Sequence, residues 1–163
     1  HKHLYNSERQ VLYRGLNVKD GEIIKDATVD TSSVFGAFMF GLFASDSHEI
    51  TSSIATVKEL FGANNGVLGL PRYENDDYRR EDSSVTGNWW LITSMWMAQY
   101  YIEENDQAKA FEILDWIKAH SMSTGMMAEQ INPLTDQMIA PAPLTWSHAE
   151  YVSTLLDTIT GTK

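Results

Sequence analysis

The residues best placed to do chemistry cluster in one polar, proline-broken stretch, Gly125 to Trp146 (GMMAEQINPLTDQMIAPAPLTW). Glu129 stands there between Ala128 and Gln130. Pro133, Pro141 and Pro143 prevent a helix from running through it, so the segment reads as a long ordered loop, where binding and catalysis concentrate. A carboxylate in such a loop is a candidate acid–base group; the plainer alternative is a solvated loop glutamate. A second cluster is Gly69-Leu70-Pro71-Arg72-Tyr73-Glu74-Asn75-Asp76-Asp77-Tyr78. Arg72 can offer its guanidinium fork to hydroxyl groups, or form a surface ion pair with Glu74, Asp76 or Asp77. Trp90 and Trp146 are expected at helix starts, where an indole can serve as a platform for an apolar ring face or simply belong to the core. Trp89, Trp96 and Trp116 read as core.

Other chemistries find little support. The chain has no cysteine, which removes disulfides, thiol nucleophiles and thiolate metal sites. His1-x-His3 at the terminus is the only metal-like histidine spacing, and no Gly-rich phosphate loop follows a strand. Adjacent Ser147 and His148 do not make a nucleophile–base pair. No metal or cofactor is implied. The formal net charge of −10 disfavours nucleic acid and anionic membranes as partners, while a neutral sugar is not repelled. The longest apolar run, Val34 to Ala44, is too short to cross a bilayer.

The elements that must position these residues show in the hydrophobic pattern. At 163 residues, 43% of them hydrophobic, the chain has the material for a single domain with a sizeable core. It begins at His1 without an initiator methionine, as a fragment or processed form would. Residues 1–27 read as an irregular lead-in, with strand character at Val11–Arg14 and a turn punctuated by Asn17, Asp20 and Gly21. A helix from Thr28 or Asp30 to about Phe43 lacks a polar face and is expected to be buried all round. The next, opened by Asp46 and Glu49 as a capping box and closed by Gly62, carries an Ile50, Ile54, Val57, Phe61 stripe. The same pair recurs: Gly87 to Glu103 is apolar nearly all round, and Asp106 to His120 is amphipathic. Thr145 or Ser147 would cap a last helix. A shift of 59 residues lays Ser47 on Asp106 and Gly66 on Gly125, so the chain reads as two and a half copies of buried helix, amphipathic helix and long loop. Two concentric helical layers satisfy that alternation, and they put both loops on one face. A plain helical bundle is the alternative.

These two loops carry a resemblance. A Glu129-Gln130 pair, an Asn132-Pro133-x-Thr135 turn and Pro143-Leu144-Thr145-Trp146-Ser147-His148 resemble the general-base loop of the glucoamylase family of inverting glycoside hydrolases (family 15). Arg72-Tyr73-x-x-Asp76-x-Tyr78 and Gly87-Asn88-Trp89-Trp90 resemble its sugar-site segments, with Trp89 where the family usually has proline and a longer connection at Asp82–Thr86. The resemblance covers roughly residues 28 to 160. It implies an all-α fold: the C-terminal five helices, or about that, of an (α/α)6 toroid of twelve. It implies Glu129 as general base, with Arg72, Tyr73, Asp76, Trp90, Gln130 and Trp146 binding substrate. Gln130 would orient the attacking water or a sugar hydroxyl. The implied activity is exo-acting hydrolysis of terminal α-1,4-glucosidic bonds in an α-glucan, or action on trehalose by a close relative. The family's general acid lies far upstream of the base, before this chain starts. A partial ring exposes apolar surface, to be covered by the rest of the toroid or by self-association. A non-catalytic glucan-binding module is the competing class; a terpene cyclase is disfavoured because Asn75-Asp76-Asp77 lies in a loop.

Overall fold

The computed structural model describes residues 3–161; the His1-x-His3 spacing therefore lies partly outside it. Five helices carry the fold: α1 (Thr31–Met39), α2 (His48–Leu60), α3 (Leu91–Glu103), α4 (Gln107–Ala119) and α5 (Thr145–Thr160). The seven strands are short and lie outside the helices: β1 (Tyr5–Asn6), β2 (Val11–Leu12), β3 (Gly15–Lys19), β4 (Glu22–Asp26), β5 (Trp89–Trp90), β6 (Gln130–Ile131) and β7 (Met138–Ile139).

The starts of α1, α2 and α4 are set by side-chain caps. Asp30 accepts the Ser33 amide at 2.8 Å, Ser47 the Ile50 amide at 3.4 Å and Asp106 the Lys109 amide at 3.3 Å among its contacts. Each satisfies one of the amides that a helix leaves unpaired in its first turn. Ser47, rather than Asp46, thus opens α2, and it stands 59 residues before the cap of α4. Gly62 closes α2 in the left-handed conformation, and Gly66 and Gly125 share it at matching points of the two loops. The helix α5 departs from expectation: Leu144 is its cap and no side chain completes it.

The layers follow from which faces are buried. α3 hides residues all round its axis, including Leu91, Met95, Met97, Ala98 and Ile102, and packs against α1, α4 and α5. α2 and α4 bury one stripe each: Ile50, Ser53, Ile54 and Val57 on the former, Ala110, Ile113, Leu114 and Ile117 on the latter. They form the outer layer, and α1, α3 and α5 the inner one. This alternation is the layering of an α/α toroid, of which the described residues form a five-helix part.

Two expectations need correction. The buried helix was expected to reach Phe43, but α1 ends at Met39. Gly41 adopts φ +69, donates to Phe38 O and lets Leu42 reach Ala37 O, the paired hydrogen bonds of a Schellman stop. Met39, Phe40 and Leu42 then point outward, Phe40 being 90% exposed. The lead-in, expected to be irregular, folds as two hairpins. β3 and β4 pair from Gly15↔Asp26 to Lys19↔Glu22. Asp20 and Gly21, both at positive φ, form the turn, whereas Asn17 lies in the strand.

Candidate active site

Two loops join an outer helix to the next inner one, residues 61–90 and 120–144, and each is fastened to the starts of two inner helices. In the first, Arg72 O accepts the Thr31 amide of α1 at 2.8 Å, and Leu70 O accepts the Trp90 amide before α3 at 2.8 Å. In the second, Glu129 O accepts the Leu91 amide of α3 at 3.2 Å, and Met127 O accepts the Leu144 amide before α5 at 2.9 Å. Both loops consequently open onto one face, as the repeat required. α5 adds two clamps to the second loop. Ser147 Oγ donates to Ala128 O at 2.8 Å, and His148 Nε2 accepts the Met127 amide at 3.2 Å. The Ser147-His148 pair thus holds the backbone on the N-terminal side of Glu129.

Between the loops lies a cleft of about 380 Å³, walled by Ser32, Arg72, Tyr78, Trp90, Ile92, Thr93, Trp96, Glu129 and Trp146. Of the expected site residues, the structure brings Glu129, Arg72, Trp90 and Trp146 together. Among the described residues, Glu129 is the only carboxylate on this wall. One of its oxygens, Oε2, accepts a 2.9 Å hydrogen bond from Gln130 Nε2.

Arg72 is held by Asp76, four residues on, through Nε–Oδ2 at 2.7 Å and Nη2–Oδ1 at 2.8 Å. This bidentate pair is not the surface ion pair of the alternative reading. Asp76 is wholly buried, and its Oδ1 also accepts the Tyr78 amide at 3.1 Å. The hydrogen bonds that Arg72 donates to Asp76 raise the pKa of its guanidinium against its partial burial, with smaller contributions from the charges of Asp76, Tyr73 and Glu129. Arg72 stays charged, and its guanidinium carbon lies 4.2 Å from the Trp90 ring centre and 5.2 Å from that of Tyr78. The cation and the rings form one surface.

Three expected ligands stand off the cleft wall. Asp76 acts behind Arg72. Tyr73 is flanked by Arg14 at 4.0 Å and Arg72 at 5.1 Å. Gln130 is fully buried and spends its amide on Glu129 and, through Oε1, on Asn88 at 2.9 Å. The sequence reading missed Trp96, assigned to the core. Its ring packs at a tilt against the half-exposed Trp146, centre to centre 6.3 Å, and against Phe35 at 6.4 Å, and it borders the cleft. A helical position one turn beyond Ile92 could have identified it. Trp90 is buried, and its Nε1 has no hydrogen-bond partner among the described residues, an unusual state for a buried donor. Trp89 takes the family's proline position by packing its ring over Gly69, where any Cβ would overlap it, and against Trp116 at 5.8 Å.

Comparison with known proteins agrees with this picture. The family model Glycosyl hydrolases family 15 matches residues 103–156, from the end of α3 through the Glu129 loop into α5. An uncharacterized glycosyl hydrolase of Methanocaldococcus jannaschii is 26% identical over 140 residues, taking in 78% of this chain and 21% of the relative. A wild-type glycosidase superposes with a TM-score of 0.68 at 22% identity, over 88% of this chain and 40% of its own, and a variant of it was solved with glucose. A bacterial glucoamylase complexed with acarbose gives 0.68 at 19% identity, over 89% and 23%. The chain therefore spans about a fifth of the curated relative and less than half of these structures. In its fold it resembles these glycosidase and glucoamylase structures.

Proposed function

We propose that this chain belongs to glycosyl hydrolase family 15 and forms the base-bearing part of the active site of an inverting, exo-acting α-glucosidase. The observation that carries the reading is Glu129 facing a cleft that also presents the Arg72 guanidinium and the Trp90, Trp96 and Trp146 rings. A sugar offers apolar C–H faces to aromatic rings and hydroxyls to a guanidinium fork, so the wall suits it. Glucose and acarbose in the glycosidase and glucoamylase structures fit the same class of ligand.

In the reaction, Glu129 takes a proton from a water whose oxygen attacks the anomeric carbon from the face opposite the leaving group. The glycosidic C–O bond breaks, and its oxygen takes a proton from a carboxylic acid. The products are a sugar of inverted configuration and a chain one residue shorter. The two carboxyl groups of inverting enzymes lie about 6.5–9.5 Å apart, leaving room for the water. With Glu129 the only carboxylate on the cleft wall among the described residues, the acid would enter from a segment outside them. That segment, or a second copy of the chain, would also cover the exposed Val152, Leu156 and Ile159 of α5 and Phe40 beyond α1.

The lone carboxylate also favours a second reading, a glucan-binding module without turnover. One set of measurements on the full-length protein separates them. Glu129→Gln should keep substrate binding while kcat falls by about 10²–10⁴, with partial rescue by azide. Early NMR spectra of the product should show the β-anomer. Near-normal kcat in Glu129→Gln, or an α-anomer first, would overturn the enzymatic reading; binding with no hydrolysis by the wild type would establish the module.

A further inference from the structure

A chain of buried amides runs behind Glu129, and we infer that Asn88 is a positioning residue that fixes the carboxylate by way of Gln130. The inference rests on the reading of Glu129 as the base. Asn88 and Gln130 are both buried, neither lines the cleft, and together they join the two loops. Asn88 Nδ2 donates to Gln130 Oε1 at 2.9 Å and, with its other hydrogen, to Arg79 O at 3.0 Å, with Tyr78 O at 3.4 Å. Gln130 Nε2 donates to Glu129 Oε2 at 2.9 Å.

The direction of this chain is forced. An ionised carboxylate only accepts, so the Gln130 amide must turn its NH2 toward Glu129 and its oxygen toward Asn88. Facing that oxygen and two backbone carbonyls, Asn88 must present its own NH2. One orientation of each amide satisfies every group, and in it a donor is aimed at Glu129, which a charged carboxylate accepts more strongly than a neutral one. Asn88 therefore favours the form that can take a proton from water. With Oε2 engaged, it leaves Oε1 for the water. It also ties that carboxylate to the backbone of Tyr78, whose ring borders Arg72 across the cleft.

The test is Asn88→Asp in the full-length protein, assayed on a soluble α-1,4-linked glucose oligomer. The new carboxylate has the same shape but accepts where asparagine donated. Gln130 would reverse, present its oxygen to Glu129, and favour the protonated base. The acidic limb of the kcat–pH profile should move up by about one pH unit, and kcat on that limb should fall roughly tenfold, the low end of what a hydrogen bond to a charged group is worth. In a Gln130→Ala background the same change should leave the limb where it is. If Asn88→Asp fails to fold, Asn88→Ser, whose shorter hydroxyl loses Gln130, should lower kcat while KM stays within about twofold. A merely structural Asn88 would lower stability or raise KM with the limb unmoved, and that result overturns the inference. Glu129→Gln in the same assay separates the two claims. If it retains activity, the base reading fails; if it is inactive while Asn88→Asp and Asn88→Ser keep a normal limb and kcat, only the positioning role fails.

Discussion

The Arg72 and Glu129 loops occupy equivalent places in the repeat, are fastened to inner helices in the same way, and yet hold their charged residue by opposite means. Arg72 is fixed by a full counter-charge four residues away. Glu129 is fixed by a neutral amide next to it, itself held by a second amide. Chemistry explains the difference. A guanidinium that binds hydroxyls is most useful when rigid and always charged, and a buried aspartate supplies both. A base needs a fixed direction without a cation clamped on both oxygens, because such a clamp lowers its proton affinity. On the proposed reading, one loop is built for permanence and the other for a proton that comes and goes.

Substitution at the two charges should expose that contrast. Beside the loss of kcat expected for Glu129→Gln, Arg72→Met in the full-length protein should act chiefly on KM. Losing hydrogen bonds from a charged group costs about 1.5–3 kcal/mol, or roughly tenfold to a hundredfold in kcat/KM. Steady-state kinetics of the two variants side by side would show the split. A kcat collapse in Arg72→Met at unchanged KM would mean that the arginine acts in the transition state and that the division of roles is wrong.

Stability should divide the loops too. Asp76→Ala removes the buried partner of Arg72, whose side chain is one-third exposed and can recover some hydration. The cost should be about 2 kcal/mol, below the 3–5 of a fully buried pair. In the same loop, Gly69→Ala drives a methyl into the Trp89 ring. Overpacking of that kind costs about 1–3 kcal/mol. Adding Trp89→Ala should return part of it, a non-additivity that chemical denaturation can measure. Additive losses would mean that Trp89 does not depend on Gly69.

How much of this was readable beforehand depended on whether a signal was local. The 59-residue shift paired Ser47 with Asp106 and Gly66 with Gly125, positions that cap helices and turn left-handed in the structure, although the sequence places the start of α2 one residue early, at Asp46. It also put Arg72 and Glu129 on one face, since equivalent loops of a repeat open the same way. The stop at Gly41 was equally local but lay hidden in an apolar run. Gln130, Asp76 and Tyr73 were read as substrate ligands because they stand beside the right residues in the sequence. Only the fold shows that Gln130 turns inward to Asn88, 42 positions away, and that Asp76 lies behind Arg72. Trp96 does pack against the core, as read, but its cleft-facing side was missed for the converse reason: an apolar helix lining a cleft looks in sequence like an apolar helix in a core.

The smallest expected effect concerns how the Arg72 loop is fastened at its far end. Glu74 accepts from Arg9 at 2.8 and 3.2 Å and from the Val29 amide at 3.4 Å, tying the loop to the lead-in. The Arg9 hydrogen bonds, helped by Val29 and opposed by burial, hold the Glu74 carboxyl below its ordinary value of 4.5. An acid with a lowered folded pKa stabilises the fold fully above its unfolded value, and loses that contribution as pH falls through the folded one. With Arg9 more than one-third exposed, the pair should be worth only about 0.5 kcal/mol, or roughly 1–2 °C in Tm. Arg9→Met should show that deficit at pH 7, and the wild type should lose its advantage as the pH drops from 4.5 downward, until the two melt together. A constant offset between Arg9→Met and wild type at every pH would show that Arg9 acts through packing, and that Glu74 is not the proton-sensitive fastening of this loop.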